Sequence, residues 1–257
     1  MLTSLSKTLV AMGVAVISTA AASAQTVRIC SDNNFWYPFT MVEDGKAVGI
    51  HIDIIRQALS NLKIDVEFKP LPWKRCLSEA EEGEVDAVAT ASYKDERAEF
   101  LNYPADAKTA AKSPHRVSQV EYVVVTAAAN PYEYADDMKT IPQPIRAPRG
   151  YSIVGDLEGK GLRVDSQASG DEFNVKKLLR DGKGSIVTIP EVITQLEKRP
   201  EYKGKFRVSK VPVTSKSYYL PFSKKSQITQ AQVDAIWAEI AKIRDDEDRM
   251  ATIASKY

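Results

Sequence analysis

The chain is poor in the residues that carry metal and redox chemistry: its 257 residues include two histidines, His51 and His115, and two cysteines, Cys30 and Cys76. These are too few and too scattered for a structural zinc site or a histidine-rich catalytic centre, so no metal and no cofactor is expected. An excess of charge of either sign is also lacking. Lys and Arg number 35 against 34 Asp and Glu, which removes the clustered basic surplus that nucleic acids and anionic membrane surfaces require. No apolar run approaches the ~20 residues of a membrane span. What remains, 44% hydrophobic and 27% charged residues, is the composition of an ordinary globular protein.

The first residues read as an export signal. Lys7 precedes an apolar run from Thr8 to Ile17, and small residues end at Ala22-Ser23-Ala24, the pattern cleaved by signal peptidase, here before Gln25. A lipid-anchored protein would need a cysteine at the cleavage point, whereas Cys30 lies in the strand-like Val27-Arg28-Ile29-Cys30. The mature chain is therefore expected to be soluble, without direct membrane insertion, and large enough for one big domain or two lobes. In an oxidising compartment an even cysteine pair is more often bridged than free, which predicts a Cys30–Cys76 disulfide, with two buried thiols as the alternative.

Periodicity then divides the chain into two α/β halves. The first reads as a strand from Val27, a helix from His51 to Leu62 with Ile52, Ile55 and Leu59 on one face, and a strand through Ile64, Val66 and Phe68 ended by Pro70 and Pro72. A helix from Trp73 stops at Gly83, and a strand follows from Val85 to Ala89. After an irregular stretch from Asn130 to Pro148, strands near Ile145, Leu162 and Ile186 alternate with helices near Tyr151, Phe173 and Glu191. Val233, Ile236, Trp237, Ile240 and Ile243 predict an amphipathic C-terminal helix packed back on the first lobe. Alternation of this kind gives parallel sheets flanked by helices.

Four motifs in order, Tyr37-Pro38-Phe39, Asp44 to Asp53 (Asp-Gly-Lys-Ala-Val-Gly-Ile-His-Ile-Asp), Gly83-Glu84-Val85-Asp86-Ala87 and Asp95-Glu96-Arg97, resemble the family 3 extracellular solute-binding proteins. Pro72-Trp73-Lys74-Arg75-Cys76-Leu77 and Ala91 to Arg97 resemble one branch of that family. The resemblance implies a periplasmic receptor that hands a small solute to the membrane permease of an ABC importer. It implies a two-lobe periplasmic binding protein type 2 fold, each lobe a mostly parallel sheet flanked by helices, joined by two crossover segments. The expected division is a signal peptide over residues 1–24, a first lobe over 25–115 and 214–257, and a second over 116–213, acting as a monomer.

The same resemblance assigns the ligand site. Arg97 sits where the family arginine grips a carboxylate, a task suited to a planar guanidinium with paired donors. Thr90 and Ser92 match hydroxyl positions beside the ligand, and Trp36 and Tyr37 are the aromatic candidates among Phe35, Trp36 and Tyr37, with Trp73 as a second wall or a packing anchor. Ser152 is the candidate donor at the Arg149-Gly150-Tyr151-Ser152 turn, with Arg149 an additional cation. The family aspartate that holds a ligand ammonium falls at about Thr188-Ile189-Pro190, where this chain has Pro190. Glu191 is the candidate substitute, but a shift of one residue redirects a side chain, which argues against a standard α-amino acid.

The alternative reading is an enzyme on the same scaffold, a dehydratase or lyase acting on a small carboxylate with Asp165, Asp171 or Glu191 as acid or base. Neither His51 nor His115 pairs evidently in sequence with a nucleophile, which favours a binding protein. The export reading has its own check: the intact mass of the secreted protein should place its N-terminus at Gln25, and a mass retaining the first residues would contradict it.

Overall fold

The structure, a computed structural model, describes residues 26–257. The expected signal peptide and its cleavage point lie outside the described residues. Strand β1 (Val27–Asp32) is followed by a hairpin, β2 (Met41–Glu43) and β3 (Lys46–Val48), helix α1 (Ile50–Asn61), β4 (Val66–Leu71) and α2 (Trp73–Glu82). Next come β5 (Ala87–Ala89), β6 (Ala91–Ser92), the single turn α3 (Asp95–Ala98) and β7 (Leu101–Asn102). The second half holds β8 (Ser118–Ala127), β9 (Ile145–Arg146), α4 (Ser152–Glu158), β10 (Val164–Asp165), α5 (Asp171–Asp181), β11 (Ser185–Thr188), α6 (Pro190–Leu196), β12 (Phe206–Val208) and β13 (Thr214–Tyr219). The chain ends with β14 (Phe222–Ser223), α7 (Gln230–Asp245) and α8 (Glu247–Ala254).

Two sheets organise these elements into two lobes. The first runs β4-β1-β5-β14-β7, the second β10-β9-β11-β8-β13-β6 with β12 on β8. In each, three strands are parallel, β4, β1 and β5 in one and β10, β9 and β11 in the other, and the remaining pairings are antiparallel. The sheets are thus mixed, more so than periodicity alone predicts, because β8 and β13, unrecognised in the sequence, enter the second sheet as long antiparallel neighbours. Their registers, Ser118↔Tyr218 through Tyr122↔Thr214, align the two passages of chain between lobes. β13 pairs with β8 over Thr214–Tyr218 and with β6 at Tyr218 and Tyr219, so the end of the second sheet carries both passages between the lobes and, in β6, a short strand of the first lobe.

Burial explains the pattern. β1 lies between β4 and β5, covered on both faces, and Val27, Ile29 and Cys30 are fully buried. Ile52, Ile55 and Leu59 of α1 meet Phe222 and the α7 face of Ile236, Trp237 and Ile240 in one core. Val123, Val125, Ile145, Leu178, Ile186 and Val192 form the core of the other lobe. Pro70 does not end its strand: β4 is an edge, where a missing N–H is tolerated, and Pro70 pairs with Ser31. Gly49 is required by close approach, since at φ 123° a Cβ there would fall 2.3 Å from the Phe39 carbonyl oxygen. That approach lets Pro38 and Phe39 carbonyls accept from the Ile50 and His51 amides and seats α1 against the Trp36–Thr40 turn.

The expected disulfide joins Cys30 on β1 to Cys76 on α2 across 46 residues. By loop entropy it stabilises the fold by about 4 kcal/mol. Unfolded, unreduced protein should show no alkylatable thiol, and the paired Cys30→Ser, Cys76→Ser variant should lose about that much in denaturant unfolding; full stability in the variant would refute the contribution.

Candidate functional site

The carboxyl ends of the first lobe's parallel strands point at the second lobe, the usual position of a ligand crevice in α/β sheets. β1 delivers Asp32, and the tight turn in which Trp36 and Thr40 exchange backbone hydrogen bonds aims both side chains inward. β5 delivers Thr90, while Trp73 and Arg97 come from the first turns of α2 and α3. Tyr151 and Ser152 from the second lobe and Tyr218 from the inter-lobe strand β13 close the pocket. The space left between them is about 20 Å³, room for about one water.

Arg97 is the unusual group. Its residue is only 4% exposed, yet its partners are neutral: Nη1 donates to the Ser92 carbonyl at 3.0 Å, Nη2 to the Gly150 carbonyl at 3.0 Å, and the guanidinium lies 5.3 Å from the centre of the Trp73 ring. Among the described residues no carboxylate pairs with it. A guanidinium removed from water without a counter-ion is costly, and a fork of donors facing a pocket fits a carboxylate.

Direct bonds hold the lobes together around it. Trp73 Nε1 donates to Gly150 O at 3.1 Å, the Tyr151 hydroxyl donates to Asp32 at 2.7 Å, and Ser92 Oγ donates to Ser152 Oγ at 2.7 Å. Lys216 reaches Ser152 at 2.9 Å and pairs with Asp156. At the rim, Arg199 and Lys198 of the second lobe lie 5.7 and 5.8 Å from the ring centres of Phe35 and Tyr37.

Two buried acids belong to this region, one on each lobe. Burial raises Asp32 above the usual carboxylate range, opposed by the Tyr151 and Asn34 hydrogen bonds. Asp171, the first residue of α5, is pushed up to about 7 by burial, opposed by the Thr188 hydroxyl and reinforced by the charge of Asp32. Even so, neither Asp171 Oδ1 nor Thr188 Oγ1 completes a hydrogen bond, and the Asn174 amide one turn along α5 has none.

The structure brings Arg97, Thr90, Ser92, Ser152 and Trp36 together at the lobe interface. It does not bring in Tyr37, Arg149 or Glu191. Tyr37 stacks on Phe35 and its hydroxyl bonds the Tyr257 carbonyl, because the turn that points Trp36 inward points its neighbour outward. Arg149 is exposed and donates to Gln167 O; Glu191 is exposed in the first turn of α6, since Pro190 begins that helix. Trp73 is both wall and anchor. Asp32, Thr40 and Tyr218 went unrecognised; an acid at a strand's carboxyl end was a signal for Asp32, but Tyr218 lies on a strand with no clear period.

Two α/β lobes meeting on a charged pocket at their strand ends form the kind of crevice in which α/β folds bind small molecules. The chain belongs to the bacterial extracellular solute-binding proteins, family 3, whose family profile matches residues 27–257. Its fold is similar to that of ArtJ, an arginine-, lysine-, histidine-binding protein from Geobacillus stearothermophilus, at 18% identity and TM-score 0.69, covering 91% of this chain and 95% of that one. It is similar to AbpA, an amino acid ABC transporter substrate-binding protein from Streptococcus pneumoniae bound to L-arginine, at 15% identity and TM-score 0.68, covering 90% and 93%. A histidine kinase sensor domain with similarity to periplasmic binding proteins matches at 16% identity and TM-score 0.69, covering 91% and 96%. No curated protein sequence matches the chain. No described helix is long and apolar enough to cross a membrane.

Asp171 gives the second lobe a pH signature. Its folded pKa lies above its unfolded value, so its contribution to stability is complete below about pH 4 and is lost as pH rises through about 7. Asp171→Asn should therefore gain on the parent as pH rises across that window in denaturant unfolding; parallel curves would show that the carboxyl ionises freely in the fold.

Proposed function

We propose that the protein captures a small carboxylate-bearing solute, an amino acid or related compound, between its lobes in the periplasm, without catalysis, and passes it as a monomer to the permease of an ABC importer. The observation that carries this reading is the buried, unpaired guanidinium of Arg97 facing the pocket. On this reading the solute's carboxylate takes the fork of Arg97, with Thr90, Ser92 and Ser152 as hydroxyl partners and Trp36, Trp73, Tyr151 and Tyr218 as walls. The amino acids named for ArtJ and AbpA fit the same chemistry. The absence of a carboxylate at Pro190, with Glu191 turned outward, supports a solute related to an amino acid as readily as a standard one.

Binding without turnover is supported by the one histidine that touches a pocket hydroxyl. His51 Nδ1 lies 2.7 Å from Thr90 Oγ1, but burial pushes its pKa down to about 3, too low for an effective general base near neutral pH. Asp171, the acid with the most suitable pKa, faces Thr188 and does not line the pocket.

Native mass spectrometry of protein purified without denaturation, with a thermal-shift screen of amino acids and small dicarboxylates, identifies the solute. Calorimetry then tests the site. Arg97→Ala should weaken binding by about two orders of magnitude or more, because a desolvated carboxylate loses its charged partner. Arg97→Lys should restore little of it, since an ammonium lacks the paired donors. Unchanged affinity in Arg97→Ala would reject the assignment.

A further inference from the structure

One polar group beside the pocket has no role in the grip just described. His51 is fully buried on α1, its ring stacked 4.6 Å from Phe39 and edge-on to Trp36 at 5.7 Å. Both ring nitrogens have hydroxyl partners: Nδ1 is 2.7 Å from Thr90 Oγ1, and Nε2 is 2.5 Å from Ser118 Oγ. Thr90 lines the pocket. Ser118 is the first residue of β8 and pairs with Tyr218 of β13, the other strand that runs between the lobes. A hydrogen-bonded row thus connects the pocket wall to the inter-lobe passage.

The row has two proton orders, because a neutral imidazole carries one N–H and one acceptor nitrogen. In the first, Thr90 donates to Nδ1, Nε2–H donates to Ser118, and Thr90 turns only lone pairs toward the pocket. In the second, Ser118 donates to Nε2, Nδ1–H donates to Thr90, and the Thr90 hydroxyl proton is left for the pocket. Burial keeps the ring neutral at physiological pH, so both orders are defined and a third, with two N–H donors, is suppressed. A carboxylate held by Arg97 brings lone pairs of its own. It repels the first order and is met by a donor in the second.

We propose that His51 is a positioning residue for the anion site: with its proton on Nδ1 it turns the Thr90 hydroxyl into a donor toward a carboxylate at Arg97 and ties that donor, through Ser118, to the start of the inter-lobe strand β8. This rests on the carboxylate reading of the pocket. It goes further in naming the residue that sets the polarity of Thr90 and so favours anions over solutes that present a donor at that point.

The test uses the mature full-length protein, formate as the carboxylate probe, and nitrogen NMR of isotope-labelled histidine and arginine. Formate should shift the Arg97 side-chain resonance with the His51 proton on Nδ1, and Thr90→Val should move that proton to Nε2, toward Ser118. Formate that shifts Arg97 while the parent His51 keeps its proton on Nε2 overturns the positioning role and leaves the anion site standing. Formate that leaves Arg97 unmoved overturns the anion reading, and the role with it. Two variants separate hydrogen bonding from packing. His51→Phe, which keeps a ring against Phe39, should lose roughly tenfold in formate affinity, whereas His51→Gln, which keeps a donor and an acceptor, should lose less than about threefold. Equal losses in both would assign His51 to packing alone and contradict the proposal.

Discussion

A positive charge buried without a negative partner is the constraint around which the cleft is arranged. Arg97 sits on the single helical turn α3, fixed by the Ser92 carbonyl of its own lobe and the Gly150 carbonyl of the other, with the Trp73 ring alongside. Carbonyl dipoles and an aromatic face offset part of the desolvation of a guanidinium, and a carboxylate offsets more. Because one of the two carbonyls belongs to the opposite lobe, the charge is fully dressed only when the lobes are together. On the proposed reading, closure and anion capture are therefore one process: a solute that satisfies Arg97 stabilises the arrangement that also joins Trp73 to Gly150, Ser92 to Ser152 and Tyr151 to Asp32.

Around this charge the polar groups fall into two sets. Of the hydroxyls, Thr90 and Ser152 line the pocket with Arg97 and the Ser92 hydroxyl lies 3.4 Å from its Nη1, and His51 backs Thr90 with a ring that burial keeps neutral. Of the acids, Asp32 shares the pocket wall with Arg97 but is bonded by the Tyr151 hydroxyl and by Asn34, and Asp171 lies outside the pocket beside Thr188; neither forms an ion pair with Arg97, and burial biases both toward the protonated form. Keeping the acids from pairing with Arg97 preserves its capacity for a carboxylate. A direct Asp–Arg pair would fill the fork from within and leave the pocket electrically satisfied.

The sequence was most legible where one physical demand acted alone. α1, α2 and α7 follow from apolar spacing, Gly83 from its left-handed cap, and the disulfide from cysteine economy in an exported chain. Strands β8 and β13 were illegible because each belongs to two environments: Ser118 and Gln119 are half-exposed at the passage between lobes, whereas Val123 to Val125 sit in a core, so no single period runs their length. At the site, motif order singles out Arg97, Thr90, Ser92 and Ser152, which the fold gathers at the lobe interface. That order offers both Trp36 and Tyr37, but consecutive aromatics in a turn point oppositely, and the Trp36–Thr40 backbone pairing turns Trp36 toward the pocket and Tyr37 away from it. Glu191 does not line the pocket for the same kind of reason, a helix start at Pro190 that turns it to solvent. Asp171 reads in sequence as an ordinary acid at a helix start; its burial against Thr188 comes from the packing of α5 on β11.

The most direct measurement of the central claim is a crystal structure of the protein purified from its native compartment with its retained solute. Two oxygens of one carboxylate within about 2.7–2.9 Å of the Arg97 guanidinium nitrogens, with the lobes closed, is the predicted result. A solute whose carboxylate lies elsewhere in the cleft, or one that carries no anion while Arg97 keeps its carbonyl partners, would contradict it.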